Sequence, residues 1–125
     1  ALLDMDWHTQ TQQQTFDVRK FEEESMKKIG LIPEIIPRYR STYFTHIFSG
    51  GYSAGYYSYL WSEVLDADAF QPFAEKGIFD RETAQSFREN ILSKGGSDEP
   101  MKLYIRYRGA EPDPIYLLKN RGFVK

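Results

Sequence analysis

Residues 54–73, AGYYSYLWSEVLDADAFQPF, place Tyr57, Leu60, Trp61, Val64 and Leu65 at offsets of three and four on one face. That is the period of an α-helix, not the alternation of a strand, so this stretch reads as the main helix. Projected at about a hundred degrees per residue, Tyr52, Tyr56, Tyr59 and Glu63 form a second stripe, roughly a third of a turn from the apolar face. Two faces imply two jobs. The small residues Ser53, Ala54, Gly55 and Ser58 leave room for another backbone or an extended ligand beside the phenols.

Working outward, helix follows helix. Asp80 is placed to cap a helix carrying Ala84, Phe87, Ile91 and Leu92, closed by Gly95 and Gly96. Ser97 starts another, with Asp98 and Glu99 in its first turn, Met101, Tyr104 and Ile105 on one face and Gly109 at its end. Asp113 and Pro114 open a last short helix that stops at Gly122. Upstream, Asp17 or Thr15 caps a helix with Val18, Phe21 and Ile29, ended by Gly30 after Lys27 and Lys28. Pro33 and Pro37 make LIPEIIPRYR an irregular connector. Tyr43 to Phe48 fits strand, turn or helix start equally, before Gly50 and Gly51 break any regular element. With no alternating strand pattern and no internal repeat, the expected fold is all-α, an irregular multi-helix domain spanning residues 1–125.

The 125 residues have the length of one domain with a single core. A hydrophobic content of 41% with 27% charged residues fits a globular chain. A formal net charge of -2 removes the general attraction to phosphate backbones, which argues against nucleic acid as a partner. No apolar run approaches the length of a bilayer crossing, so no membrane partner is expected. ALLDMDWHT is neither a signal peptide nor an initiator sequence, and it reads as the middle of a helix in a larger protein. The absence of cysteine excludes disulfides, thiolate zinc sites and cysteine nucleophiles, and is in keeping with a reducing, cytoplasmic setting.

A phenol with an ordinary pKa near 10 keeps its proton at neutral pH and can donate to an oxygen that becomes anionic during a reaction. Tyr52, Tyr56 and Tyr59, with His46 just upstream, therefore mark a polar substrate channel. The plainer reading packs those rings in the core, each hydroxyl satisfied by a backbone carbonyl. Gly50, Gly51 and Gly55 lack the Lys and Ser or Thr of a phosphate-cradling loop; the pair reads instead as flexibility that lets the loop close over a ligand. The histidines, His8 and His46, lie in different segments without the helical HExxH spacing, so the chain encodes no zincin site and no metal ligand is assigned. His8 reads as a surface or packing residue. No G-x-S-x-G nucleophile turn occurs. Arg38 and Arg40 either clamp a carboxylate or stand solvated, and Glu63, Asp66 and Asp68 are either a solvated face or a helix anchor.

The run HIFSGGYSAGYYSYLWSEVLDADAF, with IGLIPEIIPRYRSTYF before it and FRENILSKGGS, LYIRYRG and LLKNRGF after it, resembles the C-terminal part of the thimet oligopeptidase and peptidyl-dipeptidase family of zinc metallopeptidases, the oligopeptidase A branch included. The resemblance implies a C-terminal piece of a mostly helical, two-lobed zincin-type peptidase whose deep channel admits short peptides. It carries stabilisation of the tetrahedral oxyanion to Tyr52 and Tyr59 as catalytic residues, and substrate contact to His46 and Tyr56, with Gly50 and Gly51 in the same substrate-binding loop. Zinc is implied for the parent enzyme and none for this chain, whose expected partners are short peptides and the rest of the parent chain. The family's HExxH helix and third ligand have no counterpart here, so the isolated chain is expected to be inactive and, with an aromatic patch uncovered, to self-associate. The competing class is a non-enzymatic helical module that docks a partner helix or peptide.

Overall fold

The computed structural model describes residues 1–12 and 14–125. Among them are helices α1 (Leu2–His8), α2 (Val18–Lys28), α3 (Thr45–Phe48), α4 (Ser58–Ala69), α5 (Gln71–Lys76), α6 (Arg81–Phe87), α7 (Pro100–Arg108) and α8 (Ile115–Asn120), a 3-10 turn over Ser41–Tyr43 and a π-helical stretch over Arg88–Leu92. No strand occurs among the described residues. The fold is all-α, as the periodicity predicts. The chain forms two compact units, Ala1–Tyr59 and Leu60–Lys125.

In the first unit α2 starts where Asp17 accepts hydrogen bonds from the amides of Arg19 and Lys20, each at 3.1 Å. It ends at Ile29, after which Gly30 turns with φ +71 and Leu31 N–H donates back to the Met26 carbonyl. The side of α2 that is buried is polar: Glu22 and Ser25. Glu22 is only 3% exposed, and its charge is compensated by Ser41, whose amide and hydroxyl donate at 2.8 and 3.0 Å, and by an ion pair with Arg40. Trp7 Nε1 donates to Ser41 Oγ at 2.9 Å, so one buried carboxylate ties α1, α2 and the 3-10 turn together. Trp7 also stacks on Phe21, with Phe16 edge-on to both rings. Leu3, Phe44 and Ile47 complete this core. Residues 31–40 are irregular, as the two prolines require.

The main helix departs from expectation at both ends and on its buried face. Expected over 54–73, it begins only at Ser58, because Ala54 takes a left-handed φ of +54 and residues 53–57 form turns. It stops at Ala69 and α5 starts at Gln71. Pro72 has no N–H to offer the carbonyl four residues back, that of Asp68, and that oxygen accepts instead from Arg108 Nε at 3.2 Å. The expected apolar face is largely in solvent: Tyr57, Leu60 and Trp61 are 55%, 49% and 43% exposed, whereas Val64, Ala67 and Asp68 are buried.

In the second unit Asp80 caps α6 through the Thr83 amide at 2.8 Å. The expected helix to Leu92 widens after Phe87 into the π-helical stretch, with Ser93 N–H reaching the Arg88 carbonyl five residues back. Helix α7 starts at Pro100, later than the expected Ser97. Glu99 is forced to extended backbone by the proline that follows it, so Asp98 and Glu99 precede the helix and do not lie in its first turn. Gly109 ends α7 in the left-handed region at φ +83. Leu103, Tyr104 and Tyr107 face the core with Val64 and Ala67. Asp68, 1% exposed, accepts from Tyr104 Oη at 2.5 Å and from Arg108 Nε at 3.2 Å. It is the anchor that the sequence left open, while Glu63 pairs on the surface with Arg121.

Candidate functional site

The site lies within the first unit, between α3 and the start of α4. Helix α3 is one turn long, and its end is closed by Ser49 and Gly50 amides donating to the Thr45 carbonyl, both at 2.8 Å, and by Tyr52 N–H donating to the His46 carbonyl at 3.0 Å. These bonds fold the chain back on itself. A Cβ on Gly50 would lie 2.8 Å from His46 Cα and 3.0 Å from its carbonyl oxygen, so only glycine fits that approach. Gly51 follows with φ +82, a region L-residues with side chains disfavour. The glycine pair thus satisfies a backbone demand, and it sets His46 beside Tyr52. Ser53 Oγ donates to the Ile47 carbonyl at 2.5 Å and continues the same turn.

Tyr52 and Tyr56 do not lie on a helix with Tyr59, as the helical projection required; only Tyr59 is in α4. The turns nevertheless bring the rings together. Centroids of Tyr52 and Tyr59 are 5.3 Å apart, those of Tyr56 and Tyr59 5.1 Å, and those of Tyr52 and Tyr56 6.3 Å. His46 stands 6.2 Å from Tyr52 and 5.7 Å from Tyr56. Tyr59 is 46% exposed, and Tyr52, Tyr56 and His46 are half-buried. The phenols are not sealed in the core.

Tyr39 and Phe44 also belong to the cluster, and the sequence reading passed over both. Tyr39 stacks on Phe44 at 5.1 Å and lies 5.0 Å from His46, and buried Phe44 meets Tyr56 edge-on at 4.8 Å. No local signal marks Tyr39, which sits in the proline-rich connector. Arg38 lies over the Tyr39 ring at 5.3 Å, and Arg40 is occupied by Glu22, so the two arginines do not form a joint clamp.

Hydrogen bonding keeps the Tyr59 phenol neutral. Tyr59 holds its proton more firmly than an ordinary tyrosine, first through side-chain hydrogen bonding with Tyr52, then through partial desolvation and the phenols of Tyr56 and Tyr39. His46 Nδ1 is buried and has no hydrogen-bond partner among the described residues. His8 is elsewhere: its Nδ1 faces two acceptors, the Asp4 carboxylate at 2.8 Å and the Asp4 carbonyl at 2.9 Å, so it carries the proton. Among the described residues no three His, Asp or Glu side chains converge to hold a metal ion. The zinc implied for the parent enzyme therefore has no ligand set among these residues.

Fold and site define an all-helical protein with a phenol-bearing aromatic cluster reachable from solvent. It belongs to peptidase family M3, whose sequence profile matches residues 1–123. The chain is 46% identical over 124 residues to the dipeptidyl carboxypeptidase of Escherichia coli strain K12, an alignment covering 98% of this chain and 18% of that protein. It is 63% identical over 79 residues to oligopeptidase A of the same organism, covering 63% of this chain and 12% of that one. A probable cytosolic oligopeptidase A of Arabidopsis thaliana is 51% identical over 85 residues, covering 65% and 12%. The chain spans less than a fifth of the length of these relatives.

Proposed function

We propose that this chain forms one wall of the peptide-binding channel of a zinc-dependent peptidase that hydrolyses short peptides, as a peptidyl-dipeptidase or an oligopeptidase. The observation that carries the reading is the convergence of Tyr52, Tyr56 and Tyr59 beside His46, with a flank open to solvent. When a peptide carbonyl is attacked, its oxygen becomes an oxyanion, and preorganised donors stabilise it more than they stabilise the planar carbonyl. Tyr59 and Tyr52 are the donors. His46 and Tyr56 hold the peptide, and Gly50 with Gly51 shapes the loop that presents them. The metal chemistry would be supplied by residues other than these, so the chain alone is inactive. A cytoplasmic setting accords with a cysteine-free composition.

In the intact peptidase, Tyr59→Phe should lower kcat by about 10²–10³-fold with zinc content unchanged, the usual cost of removing one oxyanion donor. Near-normal kcat overturns the role. The other reading, a module that binds peptides without chemistry, requires tight binding by this chain alone. Calorimetry of the chain with short peptides separates the two, because one wall of a channel binds weakly.

A further inference from the structure

The mechanism above makes no use of Asp4, although Asp4 is fully buried on α1. Its Oδ1 accepts from the Ala54 amide at 2.9 Å and from His8 Nδ1 at 2.8 Å, and its Oδ2 accepts from the Tyr56 amide at 2.9 Å. Both backbone donors lie in the short segment that separates Tyr52 from Tyr59. Ala54, held in this way, adopts φ +54, a conformation that a residue with a Cβ enters only when its surroundings enforce it. With Ala54 held in that left-handed conformation, α4 does not extend back to 54 and begins at Ser58. On a helix extended that far the phenols would stand in a stripe instead of the cluster observed.

We infer that Asp4, oriented by His8, is a positioning residue for the oxyanion donors: it clamps the 54–56 backbone and thereby sets where Tyr52, Tyr56 and Tyr59 point. This inference rests on the donor reading of those tyrosines. Asn in place of Asp4 retains the size, but its amide nitrogen meets a backbone N–H donor to donor, so one of the two backbone bonds is lost. A donor displaced by about 1 Å costs on the order of 10²-fold in rate.

The test uses the intact peptidase with Asp4→Asn, Tyr59→Phe and the double variant, followed by kcat, KM, zinc content and amide exchange. For Asp4→Asn a fall in kcat of about 10²-fold with little change in KM is expected, together with unchanged zinc and faster exchange at Ala54 and Tyr56. The double variant should lose less than the product of the two single losses, because the Tyr59 contribution is removed in both. Near-normal kcat in Asp4→Asn, unchanged exchange of those amides, or losses that multiply in the double variant would each overturn the inference. If Tyr59→Phe is itself near-normal, the donor reading has failed, and amide exchange still decides whether Asp4 holds the loop. Should Asp4→Asn not fold, His8→Leu removes the side chain that orients the carboxylate and so loosens its hold on both amides. Faster exchange at those amides with lowered kcat then upholds the clamp, and no change in either overturns it.

Discussion

At Gly50 a single hydrogen atom decides the local geometry, because any Cβ would be driven to 2.8 Å from the His46 backbone. Backbone, unlike the end of a long side chain, cannot move aside cheaply. Gly50→Ala should therefore lower stability by about 1–3 kcal/mol, the range for forcing atoms into a packed site. A denaturant melt of the chain measures it, and a change near zero would mean that the α3 turn opens freely. The same substitution shifts the ring of His46 relative to Tyr52, so stability and site geometry are coupled at one position. Tyr59 belongs to this scale too. Its phenol is raised above its ordinary value chiefly by Tyr52, which keeps it a donor across the neutral range.

At the scale of elements, α4 and α7 are joined by buried polar groups. Tyr104 Oη donates to Asp68 at 2.5 Å, and Tyr107 Oη donates to the Ala69 carbonyl at 2.6 Å. Tyr104→Phe leaves a buried carboxylate with Arg108 as its remaining side-chain donor, and should cost about 1–3 kcal/mol. Thermal melts of the two proteins read the difference. The Tyr104 phenol is raised well above its ordinary value, first by burial and then by its bond to Asp68. A raised folded pKa means stability that is complete below the unfolded value near 10 and is lost as pH climbs above it. The wild-type chain should therefore weaken above about pH 10 more steeply than Tyr104→Phe, which a pH series of melts detects. Parallel curves would remove Tyr104 from the account.

At the scale of the molecule, large apolar side chains stand in solvent in both units. Ile32, Ile35 and Ile36 are 54%, 55% and 60% exposed, and Tyr57, Leu60 and Phe79 are 55%, 49% and 89% exposed. Around the first group lies a groove of about 500 Å³ lined by Met26, Leu31, Ile32 and Ile36 together with Glu22 and Arg40. Exposed apolar patches favour association. The chain on its own should therefore form dimers or larger species as its concentration rises. Light scattering showing a strict monomer throughout would contradict this. Among the described residues no helix is long and apolar enough to cross a membrane.

Caps, glycines and prolines were legible because each acts within a few residues of itself. Asp17, Asp80 and Asp113 begin helices, and Gly30, Gly109 and Gly122 end them in left-handed conformations, as read. Those signals, with the helical period, are enough for the all-α class, whereas His46, Tyr52, Tyr56 and Tyr59 are named as a group by the family resemblance and by a helical projection that holds for Tyr59 alone. The start of α4, its buried face and the arrangement of the phenols were not legible. They depend on a carboxylate at position 4 that reaches amides 50 and 52 residues away, and on an arginine at 108 that takes the carbonyl Pro72 cannot serve. Bonds across such separations leave no periodic trace in the chain, so only the folded packing of α1 against the tyrosine loop, and of α7 against α4, decides them.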